Sequence, residues 1–233
     1  MVGDFRASLY DFFGYLLPGL VMTVGLGVIW WTVFGQSDVL FIDFFATAVG
    51  STSLLLLAYF LGHVAHALGN ALPFLHPTPE DEVLKADQKW SLPSSVLTAI
   101  DRSLARRFSL KVKDLTPRIK YSLMDEGRAL LQREGDREVY VYREGFYRGM
   151  VVAVATLGVA IVARLFSSRT GVSYGTGVAS MTRVQATVGF LLVVASTIAC
   201  FQRMRRFSRY RIERAVFLWL NAISSVKGAK GDP

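Results

Sequence analysis

His63, His66 and Asn70 sit at i, i+3 and i+7 of an apolar run, which on a helix places them along one face. A polar stripe in such a run turns to protein or water rather than to lipid. Imidazoles there can relay protons, sense pH or bind a metal, because their unperturbed pKa lies at about 6.5. Zinc needs more than two ligands, and the nearest further ones come from the loop that follows: His76, with Glu80 or Asp81. No second paired ligand motif stands elsewhere in the chain. His63, His66 and Asn70 are therefore read as a candidate polar relay or as hydrogen bonds at an interhelical contact, and no metal or other cofactor is expected.

Other chemistry fails for want of residues. There is no Gly-x-Ser-x-Gly nucleophile elbow and no His-Glu-x-x-His pair, and three histidines are too few for a histidine-rich di-iron site. Cys200 is the single cysteine, so neither a disulfide nor a Cys-x-x-Cys redox pair can form within the chain. Gly171, Gly175 and Gly177 lack the Gly-Lys-Ser/Thr that would complete a phosphate-binding loop. No catalytic residue is assigned, and the chain is read as a non-enzyme. A secondary transporter is disfavoured too, because no acidic residue falls within the apolar runs and no inverted repeat is evident.

The elements that must hold these residues are four apolar stretches. Residues 12–34 carry no charged side chain and as a helix would extend about 34 Å, against about 30 Å for a hydrocarbon core. Residues 44–67 repeat the pattern, and 149–165 and 184–201 are shorter spans. The amino terminus, with Asp4, Arg6 and Asp11, lacks the positive leader of a cleavable signal, so the first span is expected to stay as an anchor. Ser8 and Asp11 resemble a capping arrangement just ahead of that span, and Pro18 within it predicts a kink. Gly19, Thr23 and Gly27 make a small-residue row on the first span, and Ala46 with Gly50 makes one on the second.

Charge orients the spans. Segment 35–43 has no Lys or Arg, whereas 68–148 has fourteen basic and twelve acidic residues, and the tail after Cys200 has eight basic and two acidic. Basic residues collect in cytoplasmic segments, so both termini and 68–148 are expected inside a plasma or inner membrane. Arg164, Arg169 and Arg183 flank the second external loop and oppose this orientation, but are outnumbered. The organisation read from the chain is a first hairpin at 1–67, a cytoplasmic helical region at 68–148, a second hairpin at 149–201 and a basic tail at 202–233.

Within 68–148, Pro79 followed by Glu80, Asp81 and Glu82 starts a helix. A second is expected after Ser94-Ser95, burying Val96, Ala99, Ile100, Leu104 and Phe108, and a third from Pro117, burying Ile119, Leu123, Leu130 and Leu131. A brief extended stretch is expected at 109–112, and a long helix over 137–165. The tail sets Trp219 and other apolar residues against Arg203, Arg205, Arg206, Arg209, Arg211 and Arg214, the pattern of a basic amphipathic helix on anionic headgroups or a partner. Nucleic acid is the disfavoured partner so close to a span.

A net charge of +8 on a chain that is 52% hydrophobic and only 19% charged thus resolves by position into an orientation and surface signal rather than a polyanion site. The fold class is an all-α integral membrane protein of four transmembrane helices, with a small helical cytoplasmic region and a basic amphipathic C-terminal helix. The layout resembles that of small membrane effectors in bacterial stress and antiviral defence systems, a likeness of architecture carried by no motif. The expected function is that of an oligomeric membrane subunit, pore-forming, membrane-perturbing or signalling, controlled through the cytoplasmic region. The alternatives are a passive anchor or assembly factor that recruits a soluble partner, and a metal-dependent membrane enzyme using His63, His66 and His76.

Overall fold

A computed structural model of the chain describes residues 2–34, 47–75, 79–129, 137–169 and 183–229. Ala46, His76, Leu130, Leu131 and the glycines at 171, 175 and 177 lie outside the described residues. Within the described residues the secondary structure is entirely helical: α1 (Val2–Phe34), α2 (Ala48–Ala71), α3 (Pro79–Leu84), α4 (Ser94–Phe108), α5 (Pro117–Ala129), α6 (Arg137–Arg169) and α7 (Arg183–Ala229), with 3-10 turns at Pro73–Leu75 and Val112–Asp114. Four helices, α1, α2, α6 and α7, are long and apolar enough to cross a membrane. The chain forms two compact units, one of Met1–His76 with Tyr142–Met204 and one of Pro77–Val141 with Arg205–Pro233.

In the first unit α1 begins at Val2, ahead of the start read near Ser8, and continues through Pro18. It lies along α2 because glycine faces backbone at the crossing. A Cβ on Gly19 would stand 1.6 Å from the Ala58 carbonyl oxygen, and one on Gly62 would stand 1.9 Å from that of Tyr15. Gly25 faces α6 less closely, where an added Cβ would stand 3.1 Å from the Leu157 nitrogen. Met22, Ala65, Leu75, Val151, Val152, Ala153 and Met204 form the buried cluster of this unit.

The hydroxyls on these apolar helices return to their own backbone. Thr23 donates to the Gly19 carbonyl at 2.7 Å, Thr32 to Val28 at 2.7 Å, Thr156 to Val152 at 3.0 Å and Thr197 to Val193 at 2.8 Å. Each is thereby satisfied without water, the condition for a polar group facing hydrocarbon. Much of the apolar surface also faces outward: Leu56 is 66% exposed and Val184 72%, with Phe60, Val159, Leu191 and Leu192 alongside. A soluble monomer rarely leaves so many large apolar side chains uncovered.

The second unit has its own core of Val83, Leu84, Leu97, Ile100, Leu104, Leu115, Met124, Ile212, Val216 and Trp219. Helices start at Pro79, Ser94 and Pro117, close to the expected starts, though Pro93 rather than a serine stands at the N-cap of α4. Ile100 and Leu104 are buried as expected, with Val96, Phe108 and Leu123 packed against the core, and the faces differ at single positions. On α4, Leu97 is buried and Ala99 exposed. On α5, Met124 is buried while Ile119 is exposed, and Lys120 is drawn inward by an ion pair of 2.7 Å with Asp101 of α4. The extended stretch expected at 109–112 is replaced by a left-handed Ser109 (φ 53°) that ends α4 and by the 3-10 turn that follows. The tail continues the fourth apolar helix without a break as α7. Its apolar side packs inside this unit: Trp219 is 1% exposed, stacks on Phe108 at 6.2 Å between ring centroids, and donates through Nε1 to Ser103 Oγ at 2.9 Å.

Candidate functional site

The polar stripe of α2 lies in the first unit. His63 is exposed and its ring stacks on Tyr15 of α1 at 3.9 Å between centroids. His66, one turn on, lies 4.6 Å from the same tyrosine ring, and the Gly14 backbone hydrogen-bonds its imidazole. The other side of the His66 ring rests on α6. A Cβ on Gly145 would stand 3.0 Å from its Cε1, and one on Gly149 would stand 2.8 Å from its Cδ2. Glycine at both positions is what lets α6 accept an imidazole at backbone distance. His66 Nε2 is buried with no hydrogen-bond partner among the described residues.

Asn70 meets a residue far away in the chain. Its Oδ1 accepts from Arg148 Nη1 at 2.6 Å, and Arg148 Nη2 donates to Glu144 Oε1 at 2.5 Å. Glu144 is 3% exposed. The guanidinium and the carboxylate one turn apart form a charge-assisted hydrogen bond, and Asn70 satisfies a further donor of the arginine. The polar stripe of His63, His66 and Asn70 thus belongs to a larger contact group that includes Tyr15, Glu144 and Arg148.

Tyr15 reads from sequence as part of an interfacial aromatic belt with Phe12 and Phe13, while Glu144 and Arg148 are not singled out by it. Glu144 and Arg148 fall just ahead of the third apolar run, where charges look like an ordinary flank. The signal present was Glu144-Gly145-x-x-Arg148-Gly149, an i,i+4 ion pair alternating with small residues on one face.

The remaining candidate residues separate by environment. Gly19 and Thr23 lie at the α1–α2 contact, while a Cβ on Gly27 would meet nothing within 4 Å. Gly50 is buried and donates the N-cap hydrogen bond of α2, its nitrogen to Thr47 Oγ1 at 3.0 Å. In α7, Arg203 and Arg206 are exposed, and Arg206 donates to the Tyr210 hydroxyl at 2.8 Å. Arg205 and Arg209 both bind Glu82 of α3, Arg209 through Nε at 2.8 Å, and Arg209 also lies 4.4 Å from the Trp90 ring centre. Arg211 faces Glu80 at 3.9 Å and the Tyr121 ring at 5.6 Å, and Arg214 lies 5.1 Å over Phe217. Arg205, Arg209 and Arg211 thus act largely within their own unit. Among the described residues no group of three metal-ligating side chains occurs.

The Glu82 clamp has a pH signature. Burial raises its carboxyl pKa, but the Arg205 and Arg209 hydrogen bonds outweigh this and hold it below the ordinary carboxylate value. A depressed folded-state pKa contributes stability that is complete above the unfolded value and disappears as pH falls through the folded one. Acid titration is expected to show a loss of stability in the second unit that sets in as pH falls through the ordinary carboxylate range and completes below it, a loss that Glu82→Gln abolishes at a cost near neutrality of about 1–2 kcal/mol. Denaturant midpoints against pH for both proteins check this.

The geometry defines the class: an all-helical protein with four helices long and apolar enough to cross a membrane, a buried ion pair on one of them, and a separate helical unit with its own core. Comparison with protein-family models, with curated proteins and with solved structures finds no match to this chain.

Proposed function

We propose that this chain is an integral membrane subunit that works as an oligomer and is controlled through its cytoplasmic helical unit. The four spans are those read at 12–34, 44–67, 149–165 and 184–201, in a plasma or inner membrane with both termini cytoplasmic. The basic excess of 68–148 and of the tail over 35–43 supports that orientation, and the outward-facing Leu56, Phe60, Val159 and Val184 support immersion.

The observation that carries an active rather than passive role is the Glu144–Arg148–Asn70 chain beside His66, with the Glu144 carboxylate buried. These residues stand at the cytoplasmic edge of the spans, just ahead of residue 149, where a buried carboxylate held by an arginine and an amide from another helix is costly to build and suits an ion or proton pathway or a two-state element. A passive anchor has no use for them. Oligomerisation follows from size, since one four-helix bundle encloses no aqueous pore and conduction or bilayer perturbation needs several copies. A role as an effector in a bacterial stress or antiviral system is the setting to which this layout points.

The test is oligomeric mass in mild detergent together with ion flux through liposomes. A defined multimer is expected, with flux that Glu144→Gln and Arg148→Gln each change by about tenfold or more. A monomer that passes no ions, indifferent to both substitutions, favours the passive anchor.

A further inference from the structure

The second unit carries a basic surface that the core does not use. Between residues 102 and 113 stand Arg102, Arg106, Arg107, Lys111 and Lys113, all exposed, with no acidic residue among them. None makes an ion pair with another described residue, in contrast to Arg205, Arg209 and Arg211 of α7, which meet Glu82 and Glu80.

Two large apolar side chains are set into this surface, Leu110 at 40% and Val112 at 50% exposure. The turn holds them there. Ser109 takes a left-handed conformation, the Leu110 nitrogen donates to the Ala105 carbonyl at 3.0 Å, and the Leu115 nitrogen donates to that of Val112 at 3.1 Å. Phe108 on one side packs against the core, stacked on Trp219, and Leu115 on the other is buried in it. Leu110-Lys111-Val112-Lys113 is therefore a short, pinned loop in which apolar and cationic residues alternate outside two core anchors.

We infer that residues 102–113 form a docking surface for the headgroup region of an anionic phospholipid bilayer. Such a surface offers what these residues lack, negative charge for five cations and an acyl boundary a few ångströms below for two aliphatic side chains. A nucleic acid would match the charge alone, since base stacking needs exposed aromatic rings and the segment's only aromatic, Phe108, is engaged with Trp219. An acidic peptide would likewise leave Leu110 and Val112 in water. The inference rests on the proposed membrane reading, which puts a bilayer within reach of every copy. It moves headgroup binding from the tail, where Trp219 is already buried, to the turn after α4.

The full chain, in a Cys200→Ala background, is labelled with an environment-sensitive dye at Leu110→Cys and separately at Leu56→Cys. It is reconstituted with spin-labelled acyl chains in phosphatidylcholine, with or without phosphatidylglycerol. The Leu56 dye is expected to be quenched in both membranes. The Leu110 dye is expected to be quenched about threefold more with phosphatidylglycerol, an increment lost in high salt. It is also lost on combining Arg106→Glu, Arg107→Glu, Lys111→Glu and Lys113→Glu, all at exposed positions, in a variant whose resistance to proteolysis within 77–141 matches that of the parent. An unquenched Leu56 dye overturns the membrane reading and the inference with it. Quenching at Leu56 with a Leu110 dye indifferent to phosphatidylglycerol overturns the inference alone. So does a Leu110 dye that responds to an added oligonucleotide or acidic peptide but not to lipid.

Discussion

Trp219→Ala is expected to cost the Pro77–Val141 and Arg205–Pro233 unit about 3–5 kcal/mol, the range for deleting a buried tryptophan. The indole is 1% exposed, lies among Ile100, Leu104, Met124, Ile212 and Val216, and stacks on Phe108. Its removal leaves a cavity lined from three helices and strands the Ser103 hydroxyl that accepted its N–H. Trp219→Phe separates the two contributions, since it retains most of the packing and loses only the hydrogen bond, for about 1 kcal/mol plus a small cavity. Limited proteolysis and denaturant melts of the detergent-solubilised chain, read by cleavage within 77–141, check both values. Equal and small effects would mean that Trp219 does not hold this core.

Gly19→Ala and Gly62→Ala are expected to pry α1 from α2. Each new methyl would fall within 2 Å of a carbonyl oxygen on the facing helix, Ala58 in the first case and Tyr15 in the second. Backbone cannot rotate aside as a side chain can, so the loss exceeds the ~1–3 kcal/mol of ordinary overpacking. It also withdraws Tyr15 from His63 and His66, carrying the damage into the polar cluster. Gly27→Ala is the control, because a Cβ there meets nothing within 4 Å and alanine favours the helix by about 1 kcal/mol. Thermal melting in detergent and disulfide trapping of cysteine pairs across the α1–α2 contact distinguish the outcomes. Equal tolerance of all three substitutions would contradict the close crossing.

Gly19 and Gly27 illustrate what spacing can and cannot say. Both belong to one small-residue row, yet only Gly19 meets a backbone, because a row four residues apart drifts around a helix and the neighbour covers only part of it. The stripe of α5 shows the same limit from the other side. Ile119 fits the helical period as well as Leu123 and Met124 do, yet only the latter two meet the core, while Lys120 beside Ile119 turns inward to pair with Asp101. The tail shows it on a larger scale. An apolar face among arginines is equally suited to lipid or to a protein core, and the acids that answer Arg205 and Arg209 lie more than 120 residues earlier, at Glu82.

Read alone, the sequence determined the helical class, the four apolar helices, the starts at Pro79, Ser94 and Pro117, and the long helix from Arg137. These are set by uninterrupted apolar length, by caps and by periodicity, all properties of residues within one or two turns of each other. Only the tertiary structure decided that Trp219 serves a core and that Glu144 and Arg148 join Asn70 and His66. It alone paired Arg205, Arg209 and Arg211 with acids of α3 and left Arg102, Arg106, Arg107, Lys111 and Lys113 without an ion pair among the described residues. Burial and pairing of those groups depend on partners up to 127 positions apart, and no local pattern encodes which of several similar faces a distant helix will cover.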